Sequence, residues 1–452
     1  MKGLAHLLTV RNFLRLLGAI YLIAFVSFGV QAAGLIGSHG ILPVADFLRL
    51  VRGSVGSGAF RDVPTVLWLS ASDTAVAAVW IAGALAAVAA IYSPWPRLAL
   101  AVCLVLWLSI CTAGQDFLSF QWDVLLLEAG FLALFADAKP IRVWLFRWLL
   151  FRLMFFSGMV KLLSHDPVWS DLTALHYHYW TQPLPTPPAW WMEQFPMWFQ
   201  KLSTAFVFLC EVPVPFLFLM PWRKARLAGA WITIALQVLI LLTGNYAFFN
   251  FLTIALTMWL FLEPDRSATT RAHRAASAAL AGFVAFLSAL LFLELFGIAI
   301  PDPGASVMRA VAPFRLVNSY GLFAVMTTTR PEIIVEGSND GETWKAYEFR
   351  FKPGDIRRAP PIVAPYQPRL DWQMWFAALG NYQQNRWFVN FIVRLLQAEP
   401  AVLRLLAYNP FPGKPPRFVR ASLYEYRFTS FGESGWWRRE RKGIYFPPVA
   451  LK

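Results

Sequence analysis

Long apolar runs separated by short polar stretches dominate the first 300 or so residues of the chain. Nine runs have roughly the length and apolarity of a transmembrane helix; they lie near residues 12–33, 64–92, 95–114, 119–136, 142–164, 201–221, 225–243, 246–262 and 277–299. A helix needs about 20 mainly apolar residues to cross a bilayer, because no water is present there to satisfy the backbone amides. The pattern predicts a polytopic α-helical membrane protein with about nine spans.

Lysine and arginine are distributed unevenly between the two sides of these nine runs. With the N-terminus in the cytoplasm, the inside segments hold thirteen of them: Lys2, Arg11, Arg15, Arg97, Lys139, Arg142, Arg147, Arg223, Lys224, Arg226, Arg266, Arg271 and Arg274. The outside loops hold four: Arg49, Arg52, Arg61 and Lys201. Because cytoplasmic loops are enriched in these residues, the distribution supports nine spans. It also predicts that the 165–200 loop and everything after residue 300 are exoplasmic.

From about residue 305 the apolar runs give way to shorter elements with strand-like alternation. The stretch "EIIVEGSNDGETWKAYEFRF" predicts two strands around a tight turn at Asn339 to Gly341. A helix is predicted in "RLDWQMWFAALG", two short helices broken at Pro400 follow, and "RFVRASLYEYRFTS" is the last recognisable strand. We therefore expect a transmembrane bundle at 1–300, with an exoplasmic loop at 165–200, and a soluble β-rich α+β domain at 305–452.

Composition narrows the class of protein and its partners. The chain is 58% hydrophobic and only 15% charged, which excludes an ordinary soluble enzyme. The formal charge of +14 does not indicate a nucleic-acid partner, since much of it is the cytoplasmic collar of basic residues. All three cysteines fall in predicted spans, and no Asn-x-Ser/Thr site occurs. These features favour a bacterial inner membrane over the endoplasmic reticulum.

Signatures of common enzymes are missing from the sequence. There is no G-x-S-x-G elbow, P-loop, H-E-x-x-H pair or dinucleotide fingerprint. The sequence therefore predicts no cofactor and no metal, and a protein that is more readily a non-enzyme than an enzyme. Any catalytic site has to be built from looser groups of polar residues.

Two such groups lie near the end of the fifth run. Lys161 is expected either to extend its ammonium to the membrane interface or, if desolvated, to act as a base. His176 and His178 follow in a loop rich in aromatic residues and prolines. Residues two apart share a face in a strand but not in a helix, so a metal site would require an extended loop. Histidines resting at the membrane interface are the favoured interpretation.

Three ionisable residues are predicted inside the membrane, namely Asp123, Glu128 and Arg152. Charges at this depth are unfavourable, so they pair with one another or line a substrate path. A structural Glu128–Arg152 pair and a role in a substrate cavity are equally supported by the sequence.

A fourth group, Arg369, Asp371, Trp372 and Trp375, lies before and on the predicted helix of the C-terminal part. Asp371 could cap that helix. Alternatively, an exposed surface of tryptophan and arginine would be typical of a protein-binding hot spot, which makes the four residues candidates for client binding.

Taken together, long ordered blocks of this chain resemble the lipase maturation factor family. The blocks include "FLSFQWDVLLLEAGFLAL", "FRLMFFSGMVKLLSHDPVWSDLTALHYHYWTQPLPTP", "LTGNYAFFNFLTIAL", "VNSYGLFAVMTTTRPEIIVEGSNDGETW" and "YQPRLDWQMWFAALG". Animal members of the family are membrane proteins of the endoplasmic reticulum, and its type member is needed for dimeric secreted lipases to fold. The resemblance implies an exoplasmic C-terminal domain that engages client proteins.

A fainter similarity links "FFSGMVKLLSHDPVW" to the membrane domain of vitamin K-dependent carboxylases and their bacterial relatives. In that group a lysine in a comparable G-x-x-K-L context is a base, which would correspond to Lys161. This chain departs from the group at Trp122 and Asp123, where an Asn-His pair is expected, so the similarity implies shared helix architecture more than shared chemistry.

Two functional hypotheses follow from these observations. In the first, the bundle anchors the protein and holds a membrane lipid, while the C-terminal domain and the 165–200 loop bind a folding exported protein such as a lipase. In the alternative, the protein is a membrane enzyme that acts on a lipid or quinone-like molecule, with Lys161 as base and His176 or His178 assisting. In both, the 165–200 loop is a lid over the bundle.

Overall fold

Residues 9–451 are described by the computed structural model. The helices up to residue 295, called the bundle, are α1 (Val10–Gly29), α2 (Ala32–Ile36), α3 (Val44–Val55), α4 (Ala59–Asp62), α5 (Asp73–Tyr92), α6 (Pro96–Ala113), α7 (Gln121–Ala133), α8 (Pro140–Leu163), α9 (Pro167–Ser170), α10 (Ala174–Thr181), α11 (Pro187–Glu193), α12 (Met197–Glu211), α13 (Val214–Leu219), α14 (Arg223–Thr243), α15 (Phe249–Phe261) and α16 (Arg271–Leu295).

Seven helical segments within the described residues are long and apolar enough to cross a membrane: 10–29, 73–92, 96–113, 140–163, 197–219, 223–243 and 271–295. The other two expected spans are α7 and α15, which have only 13 residues each. At 1.5 Å per residue such a helix is about 20 Å long, less than the roughly 30 Å of a hydrocarbon core. Among the described residues the structure thus gives seven full-length candidates and two short helices, so the expected count of about nine spans is not confirmed.

Both short helices are largely buried among the long ones. Helix α7 carries Asp123 and Glu128, and both side chains are paired with residues outside the helix. Because both carboxylates of α7 have partners inside the protein, the helix does not need to extend to both surfaces of the bilayer. The predicted run 119–136 is therefore longer than the helix that forms there, which has 13 residues.

Successive helices of the bundle alternate in direction, so their ends form two faces. On one face lie the 165–200 segment, called the lid, and the chain from Gly304 onward, called the tail; Met326 N of the tail donates to the Asp166 carboxylate of the lid at 2.7 Å. On the opposite face, Lys139 pairs with Asp265 at 2.6 Å. Lys2, one of the basic residues counted toward the inside, lies outside the described residues.

The tail contains helices and a four-stranded antiparallel sheet. Its helices are α17 (Gly304–Val311), α18 (Arg369–Ala378), α19 (Arg386–Leu396) and α20 (Pro400–Leu403). Its strands are β1 (Pro331–Ser338), β2 (Lys345–Ala346), β3 (Glu348–Phe349), β4 (Leu406–Tyr408), β5 (Phe418–Phe428) and β6 (Trp437–Val449). The sheet has the order β2-β1-β5-β6, and β3 pairs with β4 in a separate two-stranded ladder.

Most of the predicted elements of the tail are present. The hairpin around the Asn339–Gly341 turn is confirmed by the pairing of Glu336 with Ala346, and the second of the two short helices begins at Pro400. Strand β6 is not predicted by the sequence pattern. Its exposed residues 438–442 are all charged, as is common on an edge strand, and show no apolar alternation.

Apolar groups cover both faces of the sheet. Ile333 and Val335 of β1 pack into the main core, which also contains residues of α18 and α19. Ile334, which points to the other face, packs with Tyr179 and Trp180 of the lid. The sheet is therefore enclosed between the tail's own helices and the lid, which fixes the lid in position.

Candidate functional site

A cavity of about 690 Å³ lies beneath the lid. Its walls come from α8, α12, α14 and the start of α15, its roof from the lid, and one side from residues 322–326 of the tail. The lining is mostly leucine, phenylalanine and other apolar side chains, with a few polar groups among them. A cavity of this size and character is typical of a site for a small apolar ligand.

The charged groups of the cavity are Lys161 and Glu211. The Lys161 ammonium donates to the Glu211 carboxylate at 2.7 Å and to the Ser157 carbonyl at 2.8 Å. It also lies over the Trp169 ring of the lid, 5.4 Å from the ring centroid. Lys161 is buried, so it does not extend to the membrane surface, and the desolvated arrangement considered from the sequence is the one present.

Local backbone features explain why these two side chains meet. Pro213 has no N–H to continue a helix, and the 197–219 segment breaks between α12 and α13 directly after Glu211. Gly158 faces the break, and a Cβ there would lie 2.7 Å from Val212 Cγ2 and 2.9 Å from Glu211 Cβ. The glycine thus allows α8 to approach the break closely, one turn before Lys161.

His178 belongs to a short hydrogen-bond chain at the edge of the cavity. Gln182 Nε2 donates to the Tyr179 and Thr243 carbonyls, so Gln182 Oε1 is the acceptor for the Tyr246 hydroxyl at 2.8 Å. The Tyr246 oxygen then accepts from His178 Nε2 at 3.1 Å. Burial, assisted by the charge of Lys161, lowers the pKa of His178 to about 4, so the ring is neutral near pH 7.

His176 is not part of the cavity lining. Both histidines lie on helix α10, where positions two apart point in different directions. Burial and the nearby Arg427 lower the pKa of His176. Residues 9–451 contain no group of three or more His, Cys, Asp or Glu side chains placed to hold a metal ion.

Arg330 of the tail holds the lid closed over the cavity. Its buried guanidinium donates to the carbonyls of Trp180, Gln182 and Pro183, at 2.8 Å for Trp180 and 2.9 Å for Pro183. Glu332 pairs with the same guanidinium at 2.8 Å. The segment expected to be a lid does cover the cavity, but it is helical and fastened to the tail rather than an extended loop.

Glu128 and Arg152 form an ion pair, which is one of the two alternatives that the sequence left open, and residues of the tail add further hydrogen bonds to it. Tyr320 donates to the Glu128 carboxylate at 2.7 Å, and the backbone N–H of Asn318 donates to it at 2.9 Å. Arg152 donates to the Asn318 carbonyl at 2.9 Å. Neither Glu128 nor Arg152 lines the cavity, so the pair stabilises the contact between bundle and tail.

Asp123 also pairs with the tail rather than lining the cavity. Both of its carboxylate oxygens accept from the Arg369 guanidinium at 2.9 Å, and neither side chain is exposed. Beside this pair, Trp122 donates to the Gln367 side chain at 2.6 Å. The start of the short helix α7 is therefore covered by the segment that leads into α18.

The surface expected around Arg369 is not exposed. Arg369, Asp371, Trp372 and Trp375 are all buried at the junction of tail, bundle and lid. Trp372 packs against Trp122, and Trp375 donates to the Thr181 carbonyl at 2.8 Å. An exposed hot spot is therefore wrong for these residues, because the same aromatic and arginine side chains meet an interface within the chain.

Asp371 does not cap its own helix. Its carboxylate accepts from the backbone N–H groups of Phe351 and Lys352, at 2.8 and 2.9 Å. Pro368 occupies the N-cap position of α18. Burial raises the pKa of Asp371, and the two backbone hydrogen bonds oppose that rise.

Sequence reasoning missed three residues of this region, namely Glu211, Tyr246 and Arg330. Glu211 precedes a proline inside an apolar run, and a carboxylate at such a position is a detectable signal. Tyr246 and Arg330 had no comparable signal, since their partners are 64 and 150 residues away in the chain.

Comparison with known proteins assigns a family to this architecture. Residues 8–268 match the model of the lipase maturation factor transmembrane domain, and residues 316–447 match that of the lipase maturation factor C-terminal domain. The chain is 37% identical to lipase maturation factor 2 of Gallus gallus over 97% of its own length and 81% of the relative's.

Other relatives support the same family assignment. Lipase maturation factor 2 of Homo sapiens is 37% identical over 97% of this chain and 82% of its own length. Lipase maturation factor 1 of Bos taurus is 34% identical over 97% of this chain and 88% of its own length. No solved structure matches the chain. The chain is an integral membrane protein, and it belongs to the lipase maturation factor family.

Proposed function

We propose that this protein assists the maturation of exported proteins at a membrane, and that lipases are among its clients. The names of its relatives supply the client class, and the family spans nearly the whole chain. The proposed division of labour is a transmembrane bundle at 1–300 and an exoplasmic client-facing domain at 305–452. The partners are a membrane lipid and the exported client.

One observation carries this proposal. The buried Arg369–Asp123 pair, with two hydrogen bonds of 2.9 Å, fastens the tail to the mouth of the bundle. A domain fixed in this way presents a surface of constant orientation next to the membrane, where an emerging client passes. A tethered but independent domain would have no need of a buried bidentate pair.

The distribution of basic residues supports an exoplasmic tail. The connections opposite the tail include Lys139, Arg223 and Arg266, as expected of the cytoplasmic side. We propose a bacterial inner membrane, with the tail in the periplasm. In a eukaryotic source the corresponding location is the endoplasmic reticulum membrane, with the tail in the lumen.

Co-expression with a client tests the proposal. Cells that lack their own lipase maturation factor would express a secreted dimeric lipase with or without this chain. We expect secreted lipase activity per unit of lipase protein to rise with the chain. It should fall again when Arg369→Gln and Asp123→Asn together weaken the docking of the tail. Unchanged specific activity in the presence of abundant membrane-inserted protein would contradict the proposal.

The Arg420–Glu336 pair supplies the matched control for this experiment. It joins β5 to β1 at 2.9 Å within the tail and does not reach the bundle. Arg420→Gln with Glu336→Gln should leave client maturation near the wild-type level. Loss in both double variants would mean that general destabilisation, rather than docking, is responsible.

A second candidate is favoured by the cavity. Lys161 is buried, paired with Glu211 and directed into a mostly apolar cavity beside His178, as an enzyme acting on a lipid or quinone-like molecule would require. The faint likeness to carboxylase-type domains stays a prediction. His176 has no catalytic role in this second hypothesis, because it does not line the cavity. A lipid species that changes on expression of the wild type but not of Lys161→Arg would favour it.

A further inference from the structure

We propose that the cavity beneath the lid binds a single uncharged lipid with an oxygen-bearing polar end, which enters sideways from the half of the bilayer on the lid side. Acylglycerols, long-chain alcohols and isoprenoid quinols share this chemistry. The inference goes beyond maturation of clients and requires no catalysis.

The route of entry follows from residues that line the cavity and also face outward. Leu202 on α12 is 62% exposed, and Leu239 and Leu242 on α14 are 47% and 52% exposed. Trp191 of the lid, which is 54% exposed, lies at the same place. These residues lie near the lid-side ends of two spanning helices, so the opening between α12 and α14 faces lipid.

The charge of the ligand is inferred from the charged side chains that line the cavity. Its one ammonium, Lys161, is already paired with its one carboxylate, Glu211. A phosphate or carboxylate brought into this apolar space would find no unpaired cation, and an unpaired buried charge is strongly unfavourable. The site therefore selects against fatty acids and phospholipid headgroups.

The polar end of the ligand is inferred from the hydrogen-bonding groups of Lys161 and Glu211 that have no partner in the protein. Lys161 has three N–H donors, of which Glu211 and Ser157 take two. Among the described residues, Glu211 has no partner at its second carboxylate oxygen. A hydroxyl or carbonyl oxygen can accept from the free Lys161 N–H, and a hydroxyl can also donate to Glu211.

Size and lining complete the description of the ligand. The volume of about 690 Å³ falls within the roughly 300–1,000 Å³ of small-molecule sites. Met154, Phe206 and Leu236 line the cavity and give the hydrocarbon part an apolar environment. The ligand thus has its polar end at Lys161 and its chain directed toward the opening.

Photo-cross-linking in lipid nanodiscs tests the proposal on the full chain. Phosphatidylcholine nanodiscs would carry a diazirine-labelled monoacylglycerol, fatty acid or phosphatidylcholine, and labelled peptides would be quantified by mass spectrometry. We expect the monoacylglycerol to label peptides from α8, α12 and α14 that line the cavity. Labelling of the cavity by the fatty acid or phosphatidylcholine to the same extent would overturn the proposal.

Substitutions at the opening test the route. Leu202→Trp with Leu242→Trp should narrow it and lower cavity labelling about tenfold, which corresponds to about 1.4 kcal/mol. Leu209→Trp with Val238→Trp is the matched control, because these positions are exposed on the same two helices but do not line the cavity. Equal labelling of both double variants would exclude lateral entry.

A neutral replacement of the ion pair tests the polar end. Lys161→Met with Glu211→Gln removes both charges together, so the fold retains no unpaired buried ion. We expect the thermal midpoint to stay close to that of the wild type while monoacylglycerol labelling falls about tenfold. Retained labelling in a variant that is folded by this criterion would show that the pair does not hold the ligand.

Discussion

At the scale of single residues, six buried charged side chains form three ion pairs. Lys161 with Glu211, Arg152 with Glu128, and the Arg369–Asp123 pair are all largely withdrawn from solvent. Removing one member of such a pair leaves an uncompensated ion, whereas replacing both members can be nearly neutral. Single and double substitutions at each pair are therefore expected to differ in their effect on stability.

The Lys161–Glu211 pair gives the first prediction. Lys161→Met alone should lower the free energy of unfolding by about 3–5 kcal/mol, because Glu211 stays buried without its partner. Adding Glu211→Gln should recover most of the loss. Denaturant titration in detergent micelles measures both effects, and a single variant as stable as the double one would contradict the assignment.

His178 gives a prediction about pH. Its pKa in the folded protein is about 4, below its ordinary value of 6.5, so the unfolded chain binds the proton more readily. Stability from this residue is complete above about pH 6.5 and is lost as the pH falls toward about 4. The loss is on the order of 3 kcal/mol, since each pKa unit corresponds to about 1.4 kcal/mol.

Thermal unfolding measured at several pH values checks this expectation. His178→Gln should reduce the fall in stability between neutral and acidic pH. His165→Gln, at an exposed lid position, is the matched control and should keep the wild-type profile. Parallel profiles for the wild type and His178→Gln would rule out His178 as the titrating group.

At the scale of elements, a break in one helix and a glycine in another shape the cavity. Pro213 and Pro215 interrupt the 197–219 segment, and Glu211 lies at the break. Gly158 lets α8 lie against that break. Together they bring Lys161 and Glu211 within 2.7 Å.

Gly158→Ala should therefore be destabilising although alanine is the better helix former. The added Cβ would lie 2.7–2.9 Å from Val212 and Glu211 side-chain atoms, and overpacking of this kind lowers stability by about 1–3 kcal/mol. Gly282→Ala on α16 is the control, because nothing lies within 4 Å of the added methyl. It should be neutral or stabilising, by up to about 1 kcal/mol. The thermal midpoints of the two variants, measured under the same conditions, test this prediction.

At the scale of the whole molecule, the tail and the bundle form a continuous structure. Tail residues satisfy Asp123 and Glu128 of α7, and Arg330 fastens the lid to the sheet. Deleting the tail would leave two buried carboxylates of α7 without these partners. Truncation thus removes more than a client-binding surface, and point substitutions at the docking pairs are the better experiment.

We expect bundle and tail to unfold as one unit in the wild type. Arg369→Gln leaves Asp123 unpaired and should lower stability by about 3–5 kcal/mol, with increased hydrogen exchange in residues 361–378 and in the lid. Addition of Asp123→Asn should recover much of the stability, because no unpaired charge then stays buried. Hydrogen exchange in residues 361–378 should stay raised, because the pair that docks the tail is still absent. Hydrogen exchange followed by mass spectrometry measures it, and a rise confined to the site of substitution would argue against coupling.

The pattern of apolar residues was sufficient to predict a membrane bundle, the hairpin at Asn339–Gly341 and the helix around Trp372. These features depend on local periodicity, turn chemistry and the length of apolar runs, all of which the linear chain contains. The resemblance of whole blocks to one family was likewise visible without coordinates. The Glu128–Arg152 pair was one of two alternatives that the sequence supported equally.

Only the tertiary structure decided which polar residues face a cavity and which are enclosed. Trp372 and Arg369 have the composition of a binding surface, but both are buried where the tail packs against α7. Lys161 acquired a partner, Glu211, from a helix 50 residues away. Such contacts depend on how distant elements pack, and hydrophobic periodicity carries no information about the partner that a buried charge will meet.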